Sequence, residues 1–584
     1  MKPVISIGIQ NFEKLRNYGS FYVDKTDFIQ EWWESRDDVT LLTRPRRFGK
    51  TLNLSMMECF FSKEYAGRED LFQGLSIWKQ EKYRGLQGTY PVIFVSFAGV
   101  KGTSFEDAKD GIIGALANAF EAHRELKASG ILSEEEQRTF DELHNYIIHG
   151  DTSRVIRDAT VTMSLQMLCS YLKRCYGKKV LIFLDEYDTP LQEAYVSGFW
   201  DDMVKFIRTL FNLTFKTNPF LERALLTGVT RVSTPKASLG KESIFSDLNN
   251  LEVITVTSEK YCTAFGFTEE EVFGALEASG LTDEKEKVKF WYDGFSFGNR
   301  KDIYNPWSIT KYLDSGEYGP YWADTSSNRL VSELIRRGTP QMKMEMEDLL
   351  EGGSLEVQLE EQIIFEQLYE IEGAVWSLLM ASGYLKPVSW QFNWEKGKST
   401  YQLKITNHEV KVMFRNMISS WFPEGSTSYG NFKKALLQGD LDYMNQFMNE
   451  VSEEMFGTFD TGKKPSAKAY PERFYHGFVL GLMVDLAGRY YIRSNRQSGF
   501  GRYDVMMEPK NPEDDGIIME FKVMDPKKDV TLEKAAEHAL AQIEQKKYDT
   551  ELISRGIGKE RIRRYGFAFD GQKVLILEAQ SAEK

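Results

Sequence analysis

Long hydrophobic runs are missing from this chain: no stretch approaches the ~18 consecutive apolar residues of a membrane-spanning helix. The opening residues, Met1 to Ile29, lack the cationic flank and apolar core of a secretion signal, so a cytoplasmic protein without membrane contact is expected. Cysteine is scarce. Cys59, Cys169, Cys175 and Cys262 show no paired metal-ligand spacing, which argues against a disulfide framework or structural zinc and for buried reduced thiols. No internal repeat or low-complexity tract interrupts the chain. An excess of positive charge is also missing: the net charge of -13 argues against a surface that coats nucleic acid generally.

What is present describes an ordinary folded protein, with 42% hydrophobic, 13% aromatic and 27% charged residues. At 584 residues it exceeds what one core organises, and roughly three or four units are expected. Residues 461–584 hold 22 Lys and Arg against 19 Asp and Glu, a net of +3 in an otherwise acidic chain. Apolar runs bounded by turn residues occur at Val39 to Thr43, Val92 to Phe97, Val180 to Leu184, Ala224 to Thr227 and Val253 to Val256, with helical stretches between. That alternation predicts a parallel sheet with crossover helices, hence an α/β fold. Residues 100–175 read as a helical insertion or long crossover, with Gly150-Asp151-Thr152 as a break and candidate N-cap. A helix at Ala374 to Ser382, a ribbon through Tyr401 to Ile405 and a further helix suggest a winged-helix-like module or a helical lid, and Phe456 to Ser466 is the best linker. The expected domains are 1–300, 301–455 and 465–584.

The first run leads into Arg44-Pro45-Arg46-Arg47-Phe48-Gly49-Lys50-Thr51 and then a helix, the context of a phosphate-binding loop. Gly49 permits close backbone approach, Lys50 suits the β- and γ-phosphates of ATP, and Thr51 suits Mg²⁺ at a helix N-terminus favourable to anions. Arg44 stands where the common pattern has its first glycine, and a bare Gly-Lys-Thr is also how many helices begin. The run Val180 to Leu184 ends in Asp185 and Glu186, the acid pair such a loop needs: Asp185 to hold Mg²⁺ through water, Glu186 to polarise the attacking water. Thr227 or Thr230 is a candidate γ-phosphate sensor, and Arg231 a candidate to approach that phosphate.

Tyr22-Val23-Asp24-Lys25-Thr26, the loop just described, Leu184-Asp185-Glu186-Tyr187-Asp188-Thr189-Pro190, Leu226 to Val232 and Ser243 to Leu251 together resemble the bacterial family of AAA-ATPase-like proteins. The resemblance implies a P-loop ATPase over about the first 300 residues, with Arg46, Arg47 and Phe48 beside Gly49, Lys50 and Thr51 in the nucleotide site. It also implies that the Arg-Pro-Arg-Arg form of the loop is usual. It continues weakly through Tyr292-Asp293-Gly294-Phe295 and Tyr304-Asn305-Pro306-Trp307, for which core packing is the simplest account.

Near the C-terminus, Gly501 to Met507 precedes a polar loop, Asn511 to Gly516, and then Ile517 to Lys522. Two adjacent strands would bring Asp504 and Glu520 to one end, with Lys522 on the face of Glu520 because side chains alternate. Two hard carboxylates suit Mg²⁺ or Mn²⁺, with the Phe521 carbonyl as a further oxygen, and an ammonium can position the water that attacks a phosphodiester. A solvated hairpin would show the same pattern. Glu472, opening an amphipathic helix, and Gln542, in the helical stretch Ala535 to Tyr548, complete an order that resembles the PD-(D/E)xK nuclease superfamily over about residues 465–584. The resemblance implies Asp504, Glu520 and Lys522 as the catalytic set, with Glu472 and Gln542 supporting. His476 reads as a structural helical histidine. Arg493, Arg496 and Arg502 are candidate phosphate contacts or solvated arginines.

The expected activity is ATP-controlled, metal-dependent cleavage of nucleic acid, DNA first. A nucleotide-dependent switch or scaffold that binds without cutting is the alternative. A homo-oligomer working as a ring would need an arginine from a neighbouring subunit, for which Arg223 and Arg231 are candidates.

Overall fold

The computed structural model describes residues 3–148, 156–216, 218–236, 240–322, 328–359, 362–365, 368, 372–395, 398–419, 427–457, 481–482, 485–494, 497–498, 501–502, 504–524, 531–570 and 573–579. They fall into two compact units, Met1–Ser326 with Ser354–Val410, and Ser327–Gly353 with Lys411–Lys584. The region 301–455 is thereby divided between them. Among the described residues, no helix is long and apolar enough to cross a membrane, and all four cysteines are unpaired.

In the first unit five strands, β1 (Val39–Thr43), β2 (Val92–Ser96), β3 (Val180–Asp185), β4 (Leu221–Gly228) and β5 (Leu251–Ile254), form one all-parallel sheet in the order β2-β3-β4-β1-β5. Every residue of β1 and β3 is buried, because a central parallel strand is covered on both faces and so reads as a largely apolar run without alternation. The β2-to-β3 crossover carries the helices Phe105–Ala122, Glu134–Ile148 and Asp158–Tyr176, as expected for residues 100–175. The break at Asp151-Thr152 lies outside the described residues. The helix–ribbon–helix order also holds: Glu372–Ala381, the antiparallel pair Leu385–Asn393 and Lys398–Ile405, then His408–Ser419.

Arg44, which stands where the common pattern has its first glycine, has its guanidinium turned inward and fully buried. It donates to the carbonyls of Thr43 (2.9 Å), Thr255 (2.8 Å) and Tyr261 (3.3 Å) and stacks 4.5 Å from the Phe297 ring. Burial alone pushes its pKa down to about 9. Replacing Arg44 with alanine removes that filling and orphans buried carbonyls, for an expected loss of about 3–5 kcal/mol. A thermal melt of the variant checks this; an unchanged melting temperature refutes it.

In the second unit, β6 (Tyr490–Ser494), β7 (Val505–Pro509), β8 (Gly516–Val523), β9 (Ile562–Asp570) and β10 (Lys573–Glu578) form a mixed sheet in sequential order. Only the β8–β9 pair is parallel. That parallel step needs a crossover, and the helix Leu532–Lys546 lies within it. The expected linker begins inside a helix, since Leu441–Gly457 already contains Phe456; residues 458–466 lie outside the described residues.

Candidate active sites

In the first unit, β1 runs through the arginine-rich loop into α1 (Lys50–Phe61), whose N-cap is Gly49 at φ 81°. Only glycine takes that left-handed conformation without cost. The sheet order places β4 between the loop strand β1 and the acid strand β3, so the two halves meet across the end of β4. Thr51 Oγ1 donates to Asp185 Oδ2 (2.7 Å), and Thr227 Oγ1, from β4, donates to Asp185 Oδ1 (2.6 Å). Lys50, 4% exposed, donates to the carbonyls of Arg44 and Pro45 (both 3.2 Å) and lies 3.6 Å from Glu186. Burial and the neighbouring Glu186 push Asp185 above the usual carboxylate range. Arg47 (φ 65°) and Glu186 (φ 53°) both hold left-handed conformations, which for side-chain-bearing residues is strain of the kind that accumulates at functional sites.

Lys50, Thr51, Asp185, Glu186 and Thr227 therefore converge as expected. The loop arginines diverge. Arg46 Nη2 donates to Gln192 Oε1 (3.1 Å), whereas Arg47 lies 4.2 Å over the Trp307 ring. The Phe48 ring is buried edge-on against Phe295 and Phe297, so its side chain serves the core and only its backbone remains for a phosphate. Arg231 opens the strand Arg231–Lys236 beside Tyr187. Arg223 donates to the Trp32 and Trp33 carbonyls near the start of β4, the far end of the sheet from Lys50.

Four residues to which the motifs assign no chemistry also shape the site. Asp188, fully buried, accepts at Oδ2 from Val229 N (3.0 Å), Thr230 N (2.9 Å), Thr230 Oγ1 (3.0 Å) and Gln192 Nε2 (2.9 Å). Gly228 makes room for it: a Cβ there would sit 2.6 Å from the Tyr187 ring and 2.7 Å from Asp188 Oδ1. Asn305 Nδ2 and Trp322 Nε1 both donate to the Arg46 carbonyl, at 3.3 and 3.0 Å. The Tyr304-to-Trp307 segment is thus more than core packing, since Asn305 and Trp307 brace the loop while Tyr304 is buried. The one signal in the sequence is that a further carboxylate, Asp188, follows the acid pair within the same motif.

In the second unit, Val505 pairs with Met519 across the β7–β8 hairpin, which sets Asp504 opposite Glu520. Asp504 Oδ2 accepts from Phe521 N (2.8 Å), and Lys522 Nζ lies 3.4 Å from Glu520 Oε1. Gln542, from the crossover helix, joins the group: its Oε1 accepts from Lys522 (2.5 Å), and its Nε2 donates to Glu520 Oε1 and to the Tyr548 hydroxyl (3.0 Å). Lysine only donates, so Lys522 fixes the amide with its oxygen towards the ammonium and its nitrogen towards Glu520. Glu520 is 2% exposed, and among the described residues its Oε2 is buried without a hydrogen-bond partner. Desolvation, reinforced by Asp504, pushes its pKa up to about 8. An orphaned carboxylate oxygen beside a second carboxylate is the donor set a hard divalent cation satisfies.

Glu472 and His476 lie outside the described residues, as does Arg496. Arg493 is not free for phosphate: it pairs with Glu508 (3.1 Å) and Glu551 (2.8 Å). A separate acidic cluster, Glu269, Asp293 and Asp302, has Lys289 paired to Glu269 and the Lys386 charge beside Asp293.

Residues 6–238 match the family model described as a predicted AAA-ATPase, and residues 470–579 match that of the PD-(D/E)XK nuclease superfamily. An uncharacterized protein in the vnfD 5' region of Azotobacter chroococcum mcd 1 is 28% identical over 349 residues, 59% of this chain and 58% of that relative. The match thus spans less than two thirds of the relative's length.

Proposed function

Since the chain joins an AAA-ATPase-like domain to a PD-(D/E)XK nuclease superfamily domain, we propose that ATP bound and hydrolysed at the first controls metal-dependent phosphodiester cleavage, in DNA, at the second. In this reading residues 1–300 are the ATPase domain, 301–455 the connecting region and 465–584 the nuclease domain. The observation that carries it is the meeting of Asp504, Glu520, Lys522 and Gln542 around a buried carboxylate oxygen that has no partner among the described residues. A solvated hairpin would leave those groups in water.

At the ATPase site, Lys50 would hold phosphate oxygens, Thr51 and Asp185 would hold Mg²⁺, Glu186 would orient the attacking water, and Thr227, bonded to Asp185, would sense the γ-phosphate. At the nuclease site, Asp504 and Glu520 would hold Mg²⁺ or Mn²⁺, which supplies charge neutralisation at the phosphate. Lys522 positions the water, and Gln542 keeps both Lys522 and Glu520 in place.

Closed circular and branched DNA incubated with Mg²⁺ or Mn²⁺, with and without ATP, tests the coupling. Nicking that needs metal, disappears in Glu520→Ala and changes with ATP in wild type but not in Lys50→Ala supports it. ATP binding without cutting of any substrate turns the reading to a nucleotide-dependent switch or scaffold.

A further inference from the structure

Three arginines of the loop have three different fates: Arg44 is buried, Arg47 lies on Trp307, and Arg46 is held on the acid-pair side by Gln192. Gln192 belongs to α2 (Thr189–Ser197), the helix that begins directly after the acid pair, and stands one turn beyond Asp188. Its amide touches a group that only accepts at one end, the Asp188 carboxylate, and a group that only donates at the other, the Arg46 guanidinium. Asp188 in turn grips Val229 and Thr230, the residues that follow β4, and the Tyr187 hydroxyl donates to the Thr230 carbonyl (2.6 Å).

We propose that Arg46 supplies, within its own chain, the positive charge that meets the terminal phosphate of ATP as it is transferred to water, and that Gln192 and Asp188 are its positioning residues. The proposal rests on the reading of the first unit as an ATP hydrolase. Arg223, one of the two candidates to be lent by a neighbouring subunit, is instead committed to the carbonyls of Trp32 and Trp33 at the other end of the sheet. Arg46 and Lys50 come from one loop, and Glu186 and Gln192 from the segment facing it, so two cations and the water-orienting carboxylate share one end of the sheet. The bond from phosphorus to the bridging oxygen breaks, water oxygen bonds to phosphorus, its proton passes to Glu186, and ADP leaves with the electron pair; Arg46 changes no bond. Through Asp188 the same relay ties Arg46 to Thr230, so the loop and the end of β4 keep one relative position.

Steady-state ATP hydrolysis by the full-length protein, with ATP affinity measured separately by calorimetry, tests the relay. Arg46→Ala is expected to lower kcat roughly 100-fold or more, and Gln192→Ala roughly 10-fold, with ATP affinity changed less than about threefold in Gln192→Ala. The double variant should be no slower than Arg46→Ala, because Gln192 acts through Arg46. Added guanidinium ion should restore part of the Arg46→Ala rate and none of the Lys50→Ala rate. Multiplicative losses in the double variant, or a Gln192→Ala effect confined to KM, overturn the relay while leaving the hydrolase reading intact. Wild-type protein that binds ATP without turning it over overturns both.

Discussion

Glu520→Gln is expected to abolish metal-dependent cleavage and, in the same protein, to stabilise the metal-free second unit above neutral pH. The unfolded chain's glutamate titrates at its ordinary value near 4.5, whereas burial raises the folded value to about 8. Between these values the native state holds a proton that the unfolded state has released, so stability is full below about 4.5 and falls as pH rises through 8. Glutamine is neutral throughout and keeps the acceptor for Gln542, so it removes that slope; at pH 8 the gain is on the order of 3–5 kcal/mol. Divalent cations bind the ionised carboxylate, so their affinity in wild type should climb about tenfold per pH unit below 8 and release close to one proton. Thermal melts from pH 5 to 9 with chelator and calorimetric Mn²⁺ titrations read both. A Glu520→Gln protein that melts with the wild-type pH slope, or still binds Mn²⁺ in the second unit, contradicts the assignment.

Lys50→Ala and Asp185→Asn should separate binding from turnover. Lys50 is the buried cation of the loop, and its removal strips Glu186 of the ammonium 3.6 Å away. ATP affinity is expected to fall at least ~100-fold, about 2.7 kcal/mol. Asparagine at 185 still accepts from one of Thr51 and Thr227, so the fold and metal-free ATP binding should persist while kcat drops ~100-fold or more. Calorimetry with and without Mg²⁺, paired with phosphate release, distinguishes the two. Equal ATP affinity in wild type and Lys50→Ala would remove the loop from the nucleotide site.

Much of the fold and of both sites is legible in the residues because two periodicities carry it. The fully buried runs Val39–Thr43 and Val180–Asp185 announce central parallel strands, and two-residue alternation alone puts Glu520 and Lys522 on one face of their strand. What escapes the sequence depends on contacts across long separations along the chain. Asn305 and Trp322 reach Arg46 from more than 250 residues away, and Arg493 looks like a phosphate ligand until Glu508 and Glu551 are found beside it. Asp188 is visible in the motif, but its partners Val229 and Thr230 become neighbours only once β4 is inserted between β3 and β1. The role of Arg44 is hidden because a charged residue in a loop is ordinarily solvated; here backbone carbonyls replace the water.

The strand order has a cost that falls on the ribosome. β1 has two neighbours, β4 and β5, and the register joins Val39 to Ala224 on one side and to Leu251 on the other. At roughly 5–20 residues per second, the P-loop strand emerges roughly 10 to 35 s before the first of its partners. During that interval a strand built to be buried on both faces has no native place in a sheet, which makes the nascent N-terminal half a client for chaperones that shield single strands.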